Sequence, residues 1–244
     1  MNKFFLLSFF NFIIINMNAQ KTITFPSIDK LTITADLYES KSADPYIVLF
    51  HQANSSRGEY KETAERFVKL GYNCLAVDLR SGDEINYVKN MTAEAAIEKN
   101  LVVGYMEAMQ DMEAAILYAI RQSNQTVVVL GSSYSASLSL ILAKKISQIK
   151  AVIAFSPGEY FNKPNMIRDT ITGLNIPIFA ASSENEFPYM KELFSKVNQD
   201  NLTLFKPTKG KGVHGSKSLW ENNPTNNEYW LALMTFFGKL KDNE

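Results

Sequence analysis

The chain has 244 residues, enough for one substantial domain and tight for two. Hydrophobic residues make up 46% and charged residues 20%, an ordinary globular balance, and 25 basic side chains offset 25 acidic ones. A formal charge of zero provides no electrostatic pull toward phosphate backbones or anionic lipid, which argues against nucleic-acid and membrane-surface partners.

The N-terminus reads separately from the rest. Lys3 supplies a short positive region, residues 4–15 form an apolar run, and Ala19 is a small residue at a cleavage position, the layout of a secretory signal peptide. The apolar run falls short of the roughly twenty residues that a bilayer span needs, and no cysteine lies nearby to carry a lipid. The expectation is a leader over residues 1–19, a single domain over 20–244, and export to the periplasm or the medium with no stable membrane anchor. The mature chain would begin at or near Gln20.

Two short β-branched runs follow, 22–25 and 31–38, with a turn at 26–30, and read as an antiparallel hairpin. Residues 46–50 are continuously apolar, as in a central strand buried on both faces. From there strands and helices alternate. Residues 59–70 have apolar positions at helical spacing and stop at Gly71. Strands are predicted at 74–77, 127–130, 151–155, 176–180 and 202–205. Helices are predicted at 93–121 with a break near Gly104, and at 136–146, 192–197 and 228–240. A hairpin followed by strand–helix units makes an α/β fold: a mostly parallel sheet of about eight strands with helices on both faces, whose ligands bind at the carboxyl ends of the strands. Cys74, the only cysteine, falls within a predicted strand as a small core residue. One cysteine and two histidines exclude a structural zinc site, and no cofactor is implied.

The most informative segment is Gly131-Ser132-Ser133-Tyr134-Ser135, between a predicted buried strand and a helix of small and apolar residues. A strand that turns sharply into a helix brings the residues two before and two after the central serine nearly into contact, so both must be small, as Gly131 and Ser135 are. The helix start points backbone N–H groups, that of Tyr134 first, at charge developing on a substrate oxygen. A serine hydroxyl is a weak nucleophile and needs a base. Of His51 and His214, only His214 follows Ser133 in the chain, in a glycine-rich loop (Gly210, Gly212, Gly215) between the last strand and the last helix. The Gly-x-Gly-x-x-Gly spacing of that loop is not a dinucleotide fingerprint, because only about thirty residues remain and they end in a helix.

On these residues the chain resembles the α/β hydrolases of the dienelactone-hydrolase-like group. The resemblance extends from the hairpin at 25–38, through His51-Gln52-Ala53 and Asp78-Leu79-Arg80-Ser81-Gly82, to the turn at Ser133 and to Gly212-Val213-His214-Gly215. It implies a Ser–acid–His triad acting on a small-molecule acyl substrate through an acyl-enzyme intermediate, with no large lid. Ser133 is then the nucleophile, His214 the base, and the backbone N–H groups of Tyr134 and Ala53 the oxyanion hole, with His51 bracing its loop. The family's glycine is Gln52 here, and the second glycine of the turn is Ser135. The acid is expected just after strand 176–180, at Glu186, with Glu184 and Asp169 as alternatives. Arg57 and Tyr160 are candidate substrate contacts, while Asp78 and Arg80 would hold their own loop together. Dienelactone hydrolases proper use cysteine as nucleophile, so lactone specificity is not implied. A hydrolase fold that has lost activity and serves in binding, and an acyltransferase or peptidase using the same triad, remain alternatives, and oligomeric state is open.

Overall fold

A computed structural model describes residues 20–41 and 44–242; the expected leader lies outside the described residues. Eight strands form one sheet in the order β1-β2-β4-β3-β5-β6-β7-β8. β1 (Gln20–Pro26) and β2 (Thr32–Tyr38) make the expected antiparallel hairpin, and β2 joins β4 (Asn73–Val77) antiparallel. From β4 onward every pairing is parallel: β3 (Tyr46–Phe50), β5 (Val127–Ser132), β6 (Ile149–Phe155), β7 (Ile178–Ala181) and β8 (Leu202–Phe205).

The apolar strands are buried on both faces. In β3, Val48 and Phe50 enter one core while Ile47 and Leu49 enter the other. The first core is covered by α2 (Met91–Glu98), α3 (Ala108–Ser123), α4 (Tyr134–Lys145), the short α5 (Met166–Thr170) and α6 (Phe187–Leu193). The second is covered by α1 (Lys61–Lys69) and α7 (Asn226–Asp242), where Phe67 packs against Trp230 and Phe237. No helix among the described residues is long and apolar enough to cross a membrane.

The helical region 93–121 is two helices with the break around Gly104 as expected, because the chain leaves α2 through Asn100 in the left-handed conformation and stays irregular until α3. Two other elements depart from the expectations. A helix expected at 192–197 lies earlier, at α6. Pro188 sits in its first turn, where a missing N–H costs nothing. The residues between β6 and β7, where the sequence suggests no element, contain α5.

Candidate active site

The carboxyl ends of the parallel strands gather the sequence-selected residues along one edge. Ser133 joins β5 to α4 with φ 60° and ψ −124°, a conformation costly for a residue with a side chain and held here by its surroundings. Its N–H donates to Phe155 O at 2.8 Å, and the side chain stays near the surface at 8% exposure. Gly131 is required: a Cβ there would fall 2.5 Å from the backbone N and Cα of Ala136. Ser135, in place of the family's second glycine, is accommodated because its hydroxyl has work in the turn. It accepts from Ser132 N–H at 2.9 Å and has Phe50 O, at the end of β3, 2.8 Å away as an acceptor.

His214 Nδ1–H donates to Glu186 Oε1. That bond selects the tautomer whose Nε2 is free to take a proton. Glu186 is held from three sides: Oε2 accepts from Ser156 Oγ at 2.8 Å, from Ser183 Oγ at 2.8 Å and from Ser183 N–H at 3.1 Å. Burial pushes the carboxyl up, but the hydrogen bonds from His214, Ser183 and Ser156 outweigh it and lower its pKa from 4.5 to about 2. Because the folded pKa lies below the unfolded one, this contribution to stability is fully present above pH 4.5 and is lost as pH falls toward 2. Urea midpoints of wild type and Glu186→Gln measured across pH 6 to 3 should therefore converge as the pH drops through that window; a constant gap would contradict the assignment.

The other acid candidates are elsewhere. Glu184 lies 3.8 Å from Lys206, and Asp169 pairs with Lys196 at the surface. The loop carrying His214 is tied to the serine turn and to the acid. Ser216 N–H donates to Ser132 Oγ at 2.9 Å, and Gly215 N–H to Ser156 Oγ at 3.0 Å. Gly215 has φ +76°, and a Cβ on it would strike Gln52 Oε1 at 2.3 Å. Among the described residues no hydrogen bond joins Ser133 Oγ to His214. Tyr160 lies beside Ser133; its hydroxyl donates to Ser156 O at 2.7 Å and is pushed up to about 12, chiefly by burial.

The oxyanion-hole candidates are both at this edge. Tyr134 N–H opens α4 with no helical acceptor, and among the described residues neither it nor Ala53 N–H donates a hydrogen bond within the chain. His51 braces the Ala53 loop: its Nε2 accepts from Leu79 N–H at 2.9 Å, so Nδ1–H donates to Gln52 O at 2.7 Å.

Two outcomes differ from the sequence reading. Arg57, a candidate substrate contact, has its guanidinium fixed by Asp78 at 2.6 Å and Asp36 at 3.1 Å, so it belongs to the scaffold. Arg80 is held in the same way by Asp111 and Asp29, as its loop-holding role required. Glu59, absent from the sequence reading, is fully buried and pairs with no cation among the described residues. One carboxylate oxygen accepts from Gln52 N–H at 3.1 Å and Ser55 Oγ at 2.7 Å, and the other from Ser216 Oγ at 2.5 Å. It thus joins the loop bearing Ala53 to the loop bearing His214. The only hint of it in the sequence is an acidic residue near the start of an otherwise amphipathic helix.

Residues 33–204 match the dienelactone hydrolase family. No curated protein sequence matches the chain. Among solved structures, the chain is similar to an esterase of Pyrococcus furiosus, with a TM-score of 0.66 and 15% identity over 91% of this chain and 92% of that one. It is similar to a dienelactone hydrolase of Anabaena variabilis, with a TM-score of 0.64 and 13% identity over 89% and 95% of the two chains. An esterase domain from Rhodothermus marinus gives 0.62 and 13% over 89% and 98%.

Proposed function

The chain belongs to the dienelactone hydrolase family, a hydrolase of the α/β-hydrolase fold, and from that premise we propose that it is a serine hydrolase cleaving carboxylic esters of small molecules. The observation that carries this reading is the joining of the Glu186–His214 pair to the strained serine turn, through Gly215 and Ser156 on one side and Ser216 and Ser132 on the other.

In the proposed reaction Ser133 Oγ attacks the acyl carbon as His214 Nε2 takes its proton. Glu186 holds the imidazole tautomer and stabilises the imidazolium. The carbonyl electron pair moves onto oxygen, which the N–H groups of Tyr134 and Ala53 meet; one such donor is worth about 2.7–4 kcal/mol in a known hydrolase. The tetrahedral species collapses, the C–O bond to the alcohol breaks, and the leaving oxygen takes the proton back from Nε2. Water then repeats the sequence on the acyl-enzyme, releasing the acid and restoring Ser133. The Ser133–His214 hydrogen bond forms in the complex, since catalytic hydrogen bonds commonly tighten only when substrate enters.

A fluorophosphonate probe tests the proposal. Folded protein should form one covalent adduct, mapped by mass spectrometry to Ser133 rather than to Ser132 or Ser135, and should hydrolyse 4-nitrophenyl acetate. Resistance to the probe together with no hydrolysis would leave a binding protein on a hydrolase fold as the better reading.

A further inference from the structure

An open cleft of about 640 Å³ adjoins the serine turn, between the irregular segment that precedes α3 and the segment from β6 to α5. Its walls include Tyr105, Met106, Phe161 and Met166, and Tyr160 stands between it and Ser133. Tyr105 stacks on Tyr134, the residue after the proposed nucleophile, with ring centroids 4.4 Å apart. Tyr105 and Tyr160 thus bring the cleft wall up to the serine turn.

Two features bear on what it takes. The first is orientation. A leaving alcohol must receive its proton from His214, so it departs on the side of the His214 loop and the Glu186 turn. Neither segment contributes to the cleft's lining, as an acyl-side subsite requires. The second is chemistry. Tyr105 and Tyr160 remain 40% and 38% exposed, although aromatic rings gain from burial, and two thioethers accompany them. Ring faces and methionine sulfur favour a flat aromatic guest over an alkyl chain of equal area. Glu107 and Lys163 at the wall balance in charge, so a guest carrying its own carboxylate finds no net attraction. The volume lies within the usual range of small-ligand pockets.

We propose that this cleft is the acyl-binding subsite and that it selects uncharged aromatic acyl groups. The assignment rests on the hydrolase reading above. The aromatic ring lies among Tyr105, Phe161 and the methionines, and the carbonyl reaches back past Tyr160 to Ser133.

The test holds the leaving group constant. 4-Nitrophenyl esters of acetic, hexanoic, 3-phenylpropanoic and glutaric (mono-ester) acids are compared by kcat/KM, alongside fluorophosphonate labelling of each protein. The phenylpropanoyl ester should exceed the acetyl ester by tenfold or more, exceed the hexanoyl ester, and exceed the glutaryl ester by the widest margin. Phe161→Ala and Tyr105→Ala should each cut the phenylpropanoyl-to-acetyl ratio severalfold, mainly through KM, while Ser133 still labels. A preference for hexanoyl or glutaryl, or a ratio untouched by both variants in protein that labels, would overturn the subsite. Failure to label at all would instead overturn the hydrolase reading.

Discussion

Ser133→Ala and His214→Ala should each lower kcat for an activated ester by on the order of 10⁴–10⁶-fold, and the double variant should be hardly worse than either. In the proposed reaction the two side chains perform one event. Without Nε2 to take its proton, the Ser133 hydroxyl stays a neutral alcohol; without the hydroxyl, the His214–Glu186 pair has nothing to activate. Removing the second member after the first therefore removes little more. What remains in each variant is rate enhancement from the two N–H groups and from binding alone. Both substitutions are structurally mild. His214 is exposed at the edge of its loop, and the loop's ties to the turn run through the backbone N–H groups of Gly215 and Ser216. Circular dichroism and urea midpoints near wild type would show that the loss is chemical. Effects that add in the double variant would mean that Ser133 and His214 act separately, and that another residue supplies the base.

The candidates Ser133 and His214 could be picked out of the sequence because strong local constraints mark them. The turn at Ser133 needs small residues within two positions on each side, and a buried strand must precede it; both conditions are visible in a dozen consecutive residues. The sheet was legible for a similar reason. Strands such as β3 and β5 feed two cores at once and so read as unbroken apolar runs. The supports of the site were not legible. Ser156 and Ser183, which fix Glu186, are two serines among many, and their partners are chosen by where β6 and β7 end in space. Glu59 acts on residues seven and 157 positions away, a relation no spacing rule encodes. Arg57 misled in the opposite direction. A basic residue at a strand end suits a substrate carboxylate, but Asp36 and Asp78 arrive from β2 and from the end of β4 to take its guanidinium. The failures share a cause: a polar side chain's role depends on which distant polar group the fold sets opposite it.

The identity of the acid follows that same logic and carries the second large effect. Glu186→Gln should lower kcat by about 10⁴-fold, the scale seen when a triad carboxylate becomes an amide in place, whereas Glu184→Gln should change it by less than twofold. An amide at position 186 keeps the size of the side chain, but it can present its NH₂ toward Nδ1, which would then have to be the acceptor. The ring would be held in the tautomer with the proton on Nε2, the wrong atom to receive one from Ser133. It would also no longer offset the positive charge formed on the ring. Ser156 and Ser183 make this orientation hard to escape, because their hydroxyls donate to Oε2 and so favour carbonyl oxygen there, leaving the NH₂ at the Oε1 position facing His214. Glu184, by contrast, faces Lys206 at 3.8 Å in solvent, a pair worth about 0–1 kcal/mol and unconnected to the imidazole. Steady-state kinetics on both variants, with fluorophosphonate labelling rates to follow Ser133 directly, decide the point. Glu186→Gln should slow labelling in proportion to turnover. If Glu184→Gln shows the larger loss, the pairing of His214 with Glu186 does not persist in the working enzyme.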